Sequence, residues 1–80
     1  MVILTKLDSA FGKTLKSRRQ SINLSQEQLG LKSALSRAFI SDLEMGKKDP
    51  SLFTVFKLAN ALQLKPSVLI DEVEQTTGLP

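Results

Sequence analysis

Three features of the sequence predict an all-α domain. Apolar residues recur at spacings of three and four, and no apolar/polar alternation is long enough for a β-strand. Helix-starting serines precede three of the apolar patterns, at Ser25, Ser36 and Ser51. Gly46 and Pro66 stand where one helix should end and another begin. With 80 residues, the chain has room for one small domain, which we predict to be a compact bundle of five helices.

The first helix is predicted to present one apolar stripe to the core, formed by Phe11, Leu15 and Ile22. Asp8 or Ser9 is expected to cap its start, and Asn23 or Leu24 to end it. Residues 1–10 would then form an N-terminal arm and the start of this helix. The domain itself is predicted to cover residues 11–74, followed by a flexible tail over residues 75–80.

Ser25 and Gln28 form a Ser-x-x-Gln capping box, which predicts a second helix over about Gln26 to Ser33. Leu29 and Leu31 are expected to point inward from it. A third helix should follow Leu35, with Ser36 as its cap and Gly46 after its end. Its buried positions are predicted to be Ile40 and Leu43.

Ser51 should cap a fourth helix that continues to about Leu62. Its apolar face is predicted to consist of Leu52, Val55, Phe56, Ala59 and Leu62. Pro66 fits the first position of a fifth helix, where its missing N–H costs nothing. The core positions of this helix are predicted to be Val68, Leu69 and Val73.

The composition argues against several classes of protein. Cysteine and histidine are absent, which removes disulfides, thiolate metal sites and the commonest general base. The acidic residues are scattered, so we expect no enzyme, no cofactor and no metal. Gly12-Lys13-Thr14 imitates the end of a phosphate-binding loop, but no strand precedes it. The apolar run of residues 1–4 is too short for a signal peptide or a membrane span, which predicts a cytoplasmic protein without a membrane partner.

Charge is divided unevenly along the chain. Residues 1–48 hold nine Lys or Arg against four Asp or Glu, a net charge of +5. Residues 49–80 hold two against four, a net charge of −2. The positive face therefore belongs to the first half, which is the half that would meet a polyanion.

Residues 25–51 form two short helical patterns joined by a turn and followed by a basic stop, an arrangement that can hold a helix in the DNA major groove. Over residues 11–74 the chain resembles the helix-turn-helix regulators of the lambda and Cro repressor type, the XRE family. The motifs that carry the resemblance are Arg18-Arg19, Ser25-Gln26, Leu29, Ile40-Ser41, Leu43-Glu44, Gly46, Pro50-Ser51, Leu58-Ala59, Ala61-Leu62, Pro66 and Leu69-Ile70. The resemblance implies a dimeric regulator, usually a repressor, on a palindromic site in double-stranded DNA.

The chain departs from the family pattern at three positions. Gly30 stands where the family usually has alanine in the second helix, and Ala34 where it has glycine in the turn. If the turn requires a positive φ at Ala34, that residue is strained by about 1 kcal/mol. Met45 replaces the usual arginine before Gly46.

The candidates for reading bases lie on the outward face of the third helix: Arg37, Ala38, Ser41 and Asp42. Arg37 is the strongest of them, because a guanidinium can donate two hydrogen bonds to guanine. The alternative is a phosphate contact or a solvated charge. Asp42 would either accept a hydrogen bond from a cytosine amino group or orient a neighbouring basic side chain.

The candidates for phosphate contact are Gln26, Ser36, Lys47 and Lys48. Ser36 could serve only as a cap, Gln26 could face solvent, and the lysines could act only on the helix dipole. Arg19 and Glu44 match the family positions that form a buried ion pair, whereas Arg18 is expected to be solvated.

The fifth helix is more apolar than one buried stripe requires, which predicts a homodimer interface at Val68, Leu69, Ile70 and Val73. Phe39, Phe53 and Phe56 are expected to pack in the core rather than to stack on bases. Two versions of the function stay open, a controller protein of a restriction–modification system and an antitoxin with a toxin partner. A protein-interaction module of the same fold is a further alternative.

Overall fold

The computed structural model describes residues 2–78, with side chains from residue 6 onward. It consists of five α-helices: α1 (Val2–Ser21), α2 (Gln26–Ser33), α3 (Arg37–Glu44), α4 (Leu52–Ala61) and α5 (Pro66–Thr76). No strand occurs in this described part of the chain. The all-α, five-helix prediction is therefore confirmed. The last two residues of the predicted tail lie outside the described residues, and Gln75 and Thr76 belong to α5.

The start of α1 was predicted wrongly. The helix begins at Val2, so Asp8 and Ser9 lie inside it and cap nothing. Leu7 and Phe11, four residues apart, line the same groove, which shows that the helical pattern extends beyond Asp8 toward the N-terminus. Ile22 was predicted to be inward, but α1 ends one residue before it and the side chain is 40% exposed.

The caps of α2, α3 and α4 agree with the sequence. The hydroxyl oxygens of Ser25, Ser36 and Ser51 each accept a hydrogen bond from the backbone N–H three residues on. The capping box of α2 is complete, because the Ser25 N–H also donates to Gln28 Oε1 at 2.8 Å. Pro66 occupies the first turn of α5, and Gly46 has the predicted left-handed conformation, with φ of 72°.

All five helices contribute to one core. Its six fully buried large side chains are Leu15, Leu29, Ile40, Leu43, Leu58 and Leu69. Each contributes about 1.5–3 kcal/mol through removal of apolar surface from water. Since Ile40 and Leu43 are among them, the inward face of α3 is fixed against the rest of the domain.

Besides Ile22, further side chains that were predicted to face the core do not. Leu31 and Leu52 are 78% and 70% exposed, Phe56 is 52% exposed and Val68 is 38% exposed. Leu31 lies two residues after the buried Leu29, about 200° around α2, so the two cannot share one face. In α4 the core position is taken by Leu58, which was not predicted.

The turn between α2 and α3 contains the strained residue that the sequence predicted. Ala34 has φ of 59° and ψ of 38°, a left-handed conformation that costs an alanine about 1–2 kcal/mol. The glycine missing from the turn stands instead at Gly30, where an added Cβ would lie 2.6 Å from the carbonyl oxygen of Leu35. The backbones of α2 and of the turn therefore approach each other too closely for any side chain at residue 30.

A second close approach positions α3. A Cβ at Gly12 would lie 2.5 Å from the carbonyl oxygen of Leu43 and 2.6 Å from that of Glu44. Glycine in the middle of α1 thus allows the last turn of α3 to touch the α1 backbone. The two helices can lie this close only because residue 12 has no side chain.

Candidate DNA-binding surface

The outward face of α3 is polar and accessible. Arg37 and Ala38 are exposed, and Ser41 and Asp42 are half-buried. Ala38, Ser41 and Asp42 point away from the buried Ile40 and Leu43, and Arg37 lies at the edge of this outward face. The proposed base readers therefore share one surface of a helix whose other side is anchored in the core.

Two of the phosphate candidates flank this face. Ser36 is exposed at the start of α3, where its hydroxyl oxygen accepts from the Phe39 N–H at 3.1 Å and so acts as the cap. Lys47 follows the end of α3 with an exposed side chain, and its backbone N–H donates to the carbonyl oxygen of Asp42 at 2.9 Å. This hydrogen bond joins the loop that contains Lys47 and Lys48 to the outward face of α3.

Lys48 is held at the same end of α3. Its Nζ lies 3.5 Å from Asp42 Oδ2, in a pair whose side chains are 54% and 31% exposed. The same ammonium group lies 5.6 Å from the centroid of the Phe39 ring. Of the two roles considered for Asp42, the geometry shows the contact with a neighbouring basic side chain.

Glu44, at the end of α3, is the centre of a buried polar network. Arg19 Nε donates to Glu44 Oε2 at 2.6 Å and Arg19 Nη2 to Glu44 Oε1 at 3.0 Å. Gln26 Nε2 donates to Glu44 Oε1 at 3.1 Å. The structure thus brings together Arg19 and Glu44, and it adds Gln26, for which the sequence suggested only DNA or solvent.

The network fixes the angle of α3 against α1 and α2. The Arg19 side chain is 10% exposed and that of Glu44 is 3% exposed. Arg19 Nη1 also donates to the carbonyl oxygen of Leu24 at 2.8 Å. Hydrogen bonding to Glu44 raises the pKa of Arg19 above its ordinary value, although burial acts in the opposite direction.

Arg18 was expected to be solvated; its side chain is 36% exposed, but it also has a partner that the sequence did not predict. Its Nε donates to Glu72 Oε1 at 2.7 Å, and its Nη2 bonds the other carboxylate oxygen. The two residues are separated by 54 positions in the chain, a distance over which sequence spacing gives no signal. The pair joins α1 to α5.

The predicted dimer interface must also be corrected. Leu69 and Val73 are buried in the core of the chain itself, at 0% and 4% exposure, so they are not available to a partner. Val68 and Ile70 are exposed, but two helical residues apart they point about 200° away from each other. Ile70 is continuous with Phe56 and Pro66, which line one groove with it between α4 and α5.

Two phenylalanines add to this exposed surface. Phe53 is 73% exposed and Phe56 is 52% exposed, so the prediction that they pack in the core is wrong. Phe39 does pack against the core, where it is half-buried. The unused signal was the excess of apolar residues in α4, which run as Leu52, Phe53, Val55, Phe56, Leu58 and Ala59 and exceed one buried stripe.

Within residues 2–78, no three acidic side chains come close enough together to hold a metal ion. None of the described helices combines the length and the apolar character that crossing a membrane requires.

Two short helices, a tight turn and an outward polar face on the second helix define a helix-turn-helix domain. The family model described as helix-turn-helix matches residues 15–69, and the chain belongs to that family. This confirms the resemblance that the sequence motifs suggested.

Individual relatives include regulators of two kinds. The control protein C.BamHI of Bacillus amyloliquefaciens is 39% identical over 62 residues, which cover 76% of this chain and 76% of that protein. The immunity repressor protein of Bacillus phage phi105 is 36% identical over 61 residues, or 42% of its length. The crystal structure of the restriction–modification controller protein C.AhdI from Aeromonas hydrophila matches with a TM-score of 0.76 and 37% identity, over 78% of this chain and 94% of that one.

Proposed function

We propose that this chain is a sequence-specific DNA-binding transcription regulator, a repressor or autoregulator that binds a palindromic operator as a dimer. The observation that carries the proposal is the construction of α3. Its inward face is fixed by Ile40, Leu43 and the Glu44 network, while Arg37 stands exposed at the edge of the outward face. A helix held this rigidly can present base-reading side chains at a constant angle.

The proposed contacts divide into reading and positioning. Arg37 would donate two hydrogen bonds to O6 and N7 of a guanine, with Ser41 and Ala38 beside it against neighbouring bases. Lys47 and the start of α2 and α3 would bind phosphates, which fixes the register on the duplex without reading sequence. Gln26 would contribute from the N-terminus of α2 while it stays bonded to Glu44.

The surface around Ile70 and Phe56 is where we propose that two copies meet. The two α3 helices of a dimer would enter successive major grooves about 34 Å apart. Exposed aromatic and aliphatic side chains at Phe53, Phe56 and Ile70 supply the apolar area that such an interface needs.

The similarity to C.BamHI and C.AhdI supports a controller role. No observation favours a toxin as partner, so we propose a controller or plain repressor rather than an antitoxin. A regulator of this kind carries out no chemistry and acts on DNA in the cytoplasm.

Selection of binding sites from random duplex DNA tests the proposal. Fluorescence anisotropy should then give an affinity for the selected duplex that falls steeply with salt, with a log–log slope of about −0.9 per phosphate neutralised. Arg37→Ala should reduce discrimination between the selected duplex and a scrambled one by about 1–3 kcal/mol. Lys65→Ala, an exposed charge at the start of α5, is the control and should change neither. An affinity indifferent to salt would contradict the proposal.

Sedimentation tests the dimer. The unaltered protein should sediment as twice its 8.8 kDa mass, and Ile70→Lys should shift it to the monomer. Leu31→Lys makes the same kind of change at an exposed leucine on α2, remote from the proposed interface, and should leave the dimer intact. A single 8.8 kDa species for the unaltered chain at micromolar concentration would reject the dimer.

A further inference from the structure

Asp42 is a carboxylate on the face that is proposed to meet DNA. It follows Ser41 at the edge of the exposed face of α3, about 140° around the helix from Arg37. Near a polyanion an isolated carboxylate weakens binding, because it repels the phosphates at short range. Its presence on this face therefore needs a reason other than affinity.

The partner of Asp42 supplies that reason. Lys48 Nζ is 3.5 Å from Asp42 Oδ2 and 5.6 Å from the centre of the Phe39 ring. While it is held there, the ammonium charge is compensated and its position is set by two neighbours. Because the pair is exposed on one side it is weak, so a phosphate oxygen can compete for Lys48.

The carboxylate also has a possible base partner. In the major groove the N4 amino group of cytosine is a donor that a carboxylate can accept from. A carboxylate whose oxygens bond this amino group is less able to retain the ammonium of Lys48. The two interactions thus compete for one side chain.

We propose that Asp42 makes the phosphate contact of Lys48 conditional on the base pair in front of α3. On a matching site Asp42 accepts from cytosine and Lys48 passes to a phosphate. On other sequences Lys48 stays paired with Asp42, and the contact between Lys48 and a phosphate does not form. Asp42 is then a specificity-determining residue that acts mainly through weaker binding to wrong sequences.

This inference rests on the proposed function and has a test of its own. Asp42→Ala is compared with the unaltered protein on the selected duplex and on a scrambled duplex of the same composition. On the scrambled duplex the variant should bind more tightly, with a salt slope steeper by about 0.9, the value for one more phosphate contact. On the selected duplex its affinity should gain less, so that the ratio of the two affinities falls.

Two further variants separate this mechanism from a general charge effect. Glu27→Ala removes an exposed carboxylate from α2 and should alter both duplexes by the same factor. Lys48→Met in the Asp42→Ala background should abolish the gain on scrambled DNA, because the released charge is gone. Circular dichroism melting checks that each variant is folded.

Two results would overturn the inference while leaving the proposed function in place. If Asp42→Ala strengthens both duplexes equally, Asp42 acts only as a distant charge. If it weakens both, Asp42 merely aims Lys48 at the backbone. Failure of the unaltered protein to bind any duplex in a salt-dependent way would instead overturn the proposed function itself.

Discussion

Arg18 and Arg19 are neighbours in the last turn of α1, yet they hold the molecule together in different ways. Arg19 reaches Glu44 and joins α1 to α3, with both side chains almost enclosed. Arg18 reaches Glu72 and joins α1 to α5, with side chains that are 36% and 29% exposed. One helix therefore supports two junctions, a buried one behind the recognition helix and an open one toward the C-terminus.

Two similar bidentate ion pairs therefore contribute differently to the stability of the fold, because one is buried and the other is exposed. An enclosed charge that loses its partner is left without solvation, whereas an exposed one is rehydrated. The α1–α3 junction also contains Gly12, and Gln26 of α2 donates a third hydrogen bond to the Glu44 carboxylate. The α1–α5 junction adds a contact between the Thr14 and Thr76 hydroxyls at 3.2 Å. The α1–α3 ion pair is therefore the more enclosed of the two.

The largest effect is expected from Arg19→Ala, which strands Glu44 in the buried junction. It should lower the free energy of unfolding by about 3–5 kcal/mol. For a domain of this size each kcal/mol lowers the melting temperature by about 4–8 °C. Urea denaturation followed by circular dichroism measures the change. The double variant Arg19→Met with Glu44→Leu should lose less unfolding free energy than Arg19→Ala alone. An equal or greater loss would show that the unpaired buried charge of Glu44 is not the cause.

Gly12→Ala should come next, since it pushes a methyl group against the carbonyl oxygens of Leu43 and Glu44. We expect a loss of about 1–3 kcal/mol from overpacking. The displaced α3 should also bind the selected duplex less well. Ser17→Ala, at an exposed position of the same helix, is the control for helix propensity. Equal stability of the two variants would mean that the α1–α3 contact can relax without cost.

Arg18→Ala should have a much smaller effect than either of these changes, because water replaces the lost partner. The difference from the unaltered protein should disappear at 1 M salt, where the screening length is about 3 Å. Thermal melts at low and high salt measure it. A loss as large as that of Arg19→Ala, insensitive to salt, would remove the distinction between the two junctions.

The smallest effect is a dependence on pH. The hydrogen bonds from Arg18 lower the pKa of Glu72 below its ordinary value of 4.5. A carboxyl group whose pKa is lowered by folding stabilises the folded state fully when the pH is above its ordinary pKa. This stabilisation is lost as the pH falls through the pKa of the folded state. The stability difference between the unaltered protein and Glu72→Gln should therefore be constant above pH 4.5 and shrink below it.

Asp8 provides a comparison of opposite sign. Burial raises its pKa, and the hydrogen bond to Asp49 and the charge of Asp49 raise it further. Stability from the protonated form is thus present at low pH and is lost as the pH rises through the folded value. The Asp8→Asn variant should therefore be more stable than the unaltered protein at neutral pH. This difference should shrink as the pH falls, because protonation of Asp8 stabilises the unaltered protein. The stability of the unaltered protein minus that of Asp8→Asn should rise as the pH falls, whereas the same difference for Glu72→Gln should fall. Differences that change in the same direction would contradict this assignment.

The sequence predicted those parts of the fold that short-range chemistry determines. Ser25 with Gln28 marked the start of α2, and Pro66 and Gly46 marked a helix start and a helix end, because each acts on backbone groups within a few residues. The start of α1 was placed wrongly at Asp8 or Ser9 because the sequence does not distinguish a residue that caps a helix from the same type of residue inside a longer helix.

Contacts between distant helices were harder to predict. The spacing of residues gives no sign that Arg18 has a partner, and only the packing of α5 against α1 brings Arg18 to Glu72. Gly12 imitated a phosphate loop, and its close approach to α3 has no counterpart in spacing. Phe53 and Phe56 were assigned to the core because apolar periodicity does not distinguish a buried face from one left exposed for a partner. The roles of Arg37 and Lys47 stay predictions until DNA binding is measured.

We expect the unequal charges of the two halves, +5 over residues 1–48 and −2 over residues 49–80, to give the molecule an electric dipole moment. A dipolar protein turns in the field of a polyanion before the two surfaces touch. The basic half, with α3, would approach first and the acidic α5 would trail. Encounters would then begin in a productive orientation, which raises the association rate constant at low salt beyond what net charge alone would give.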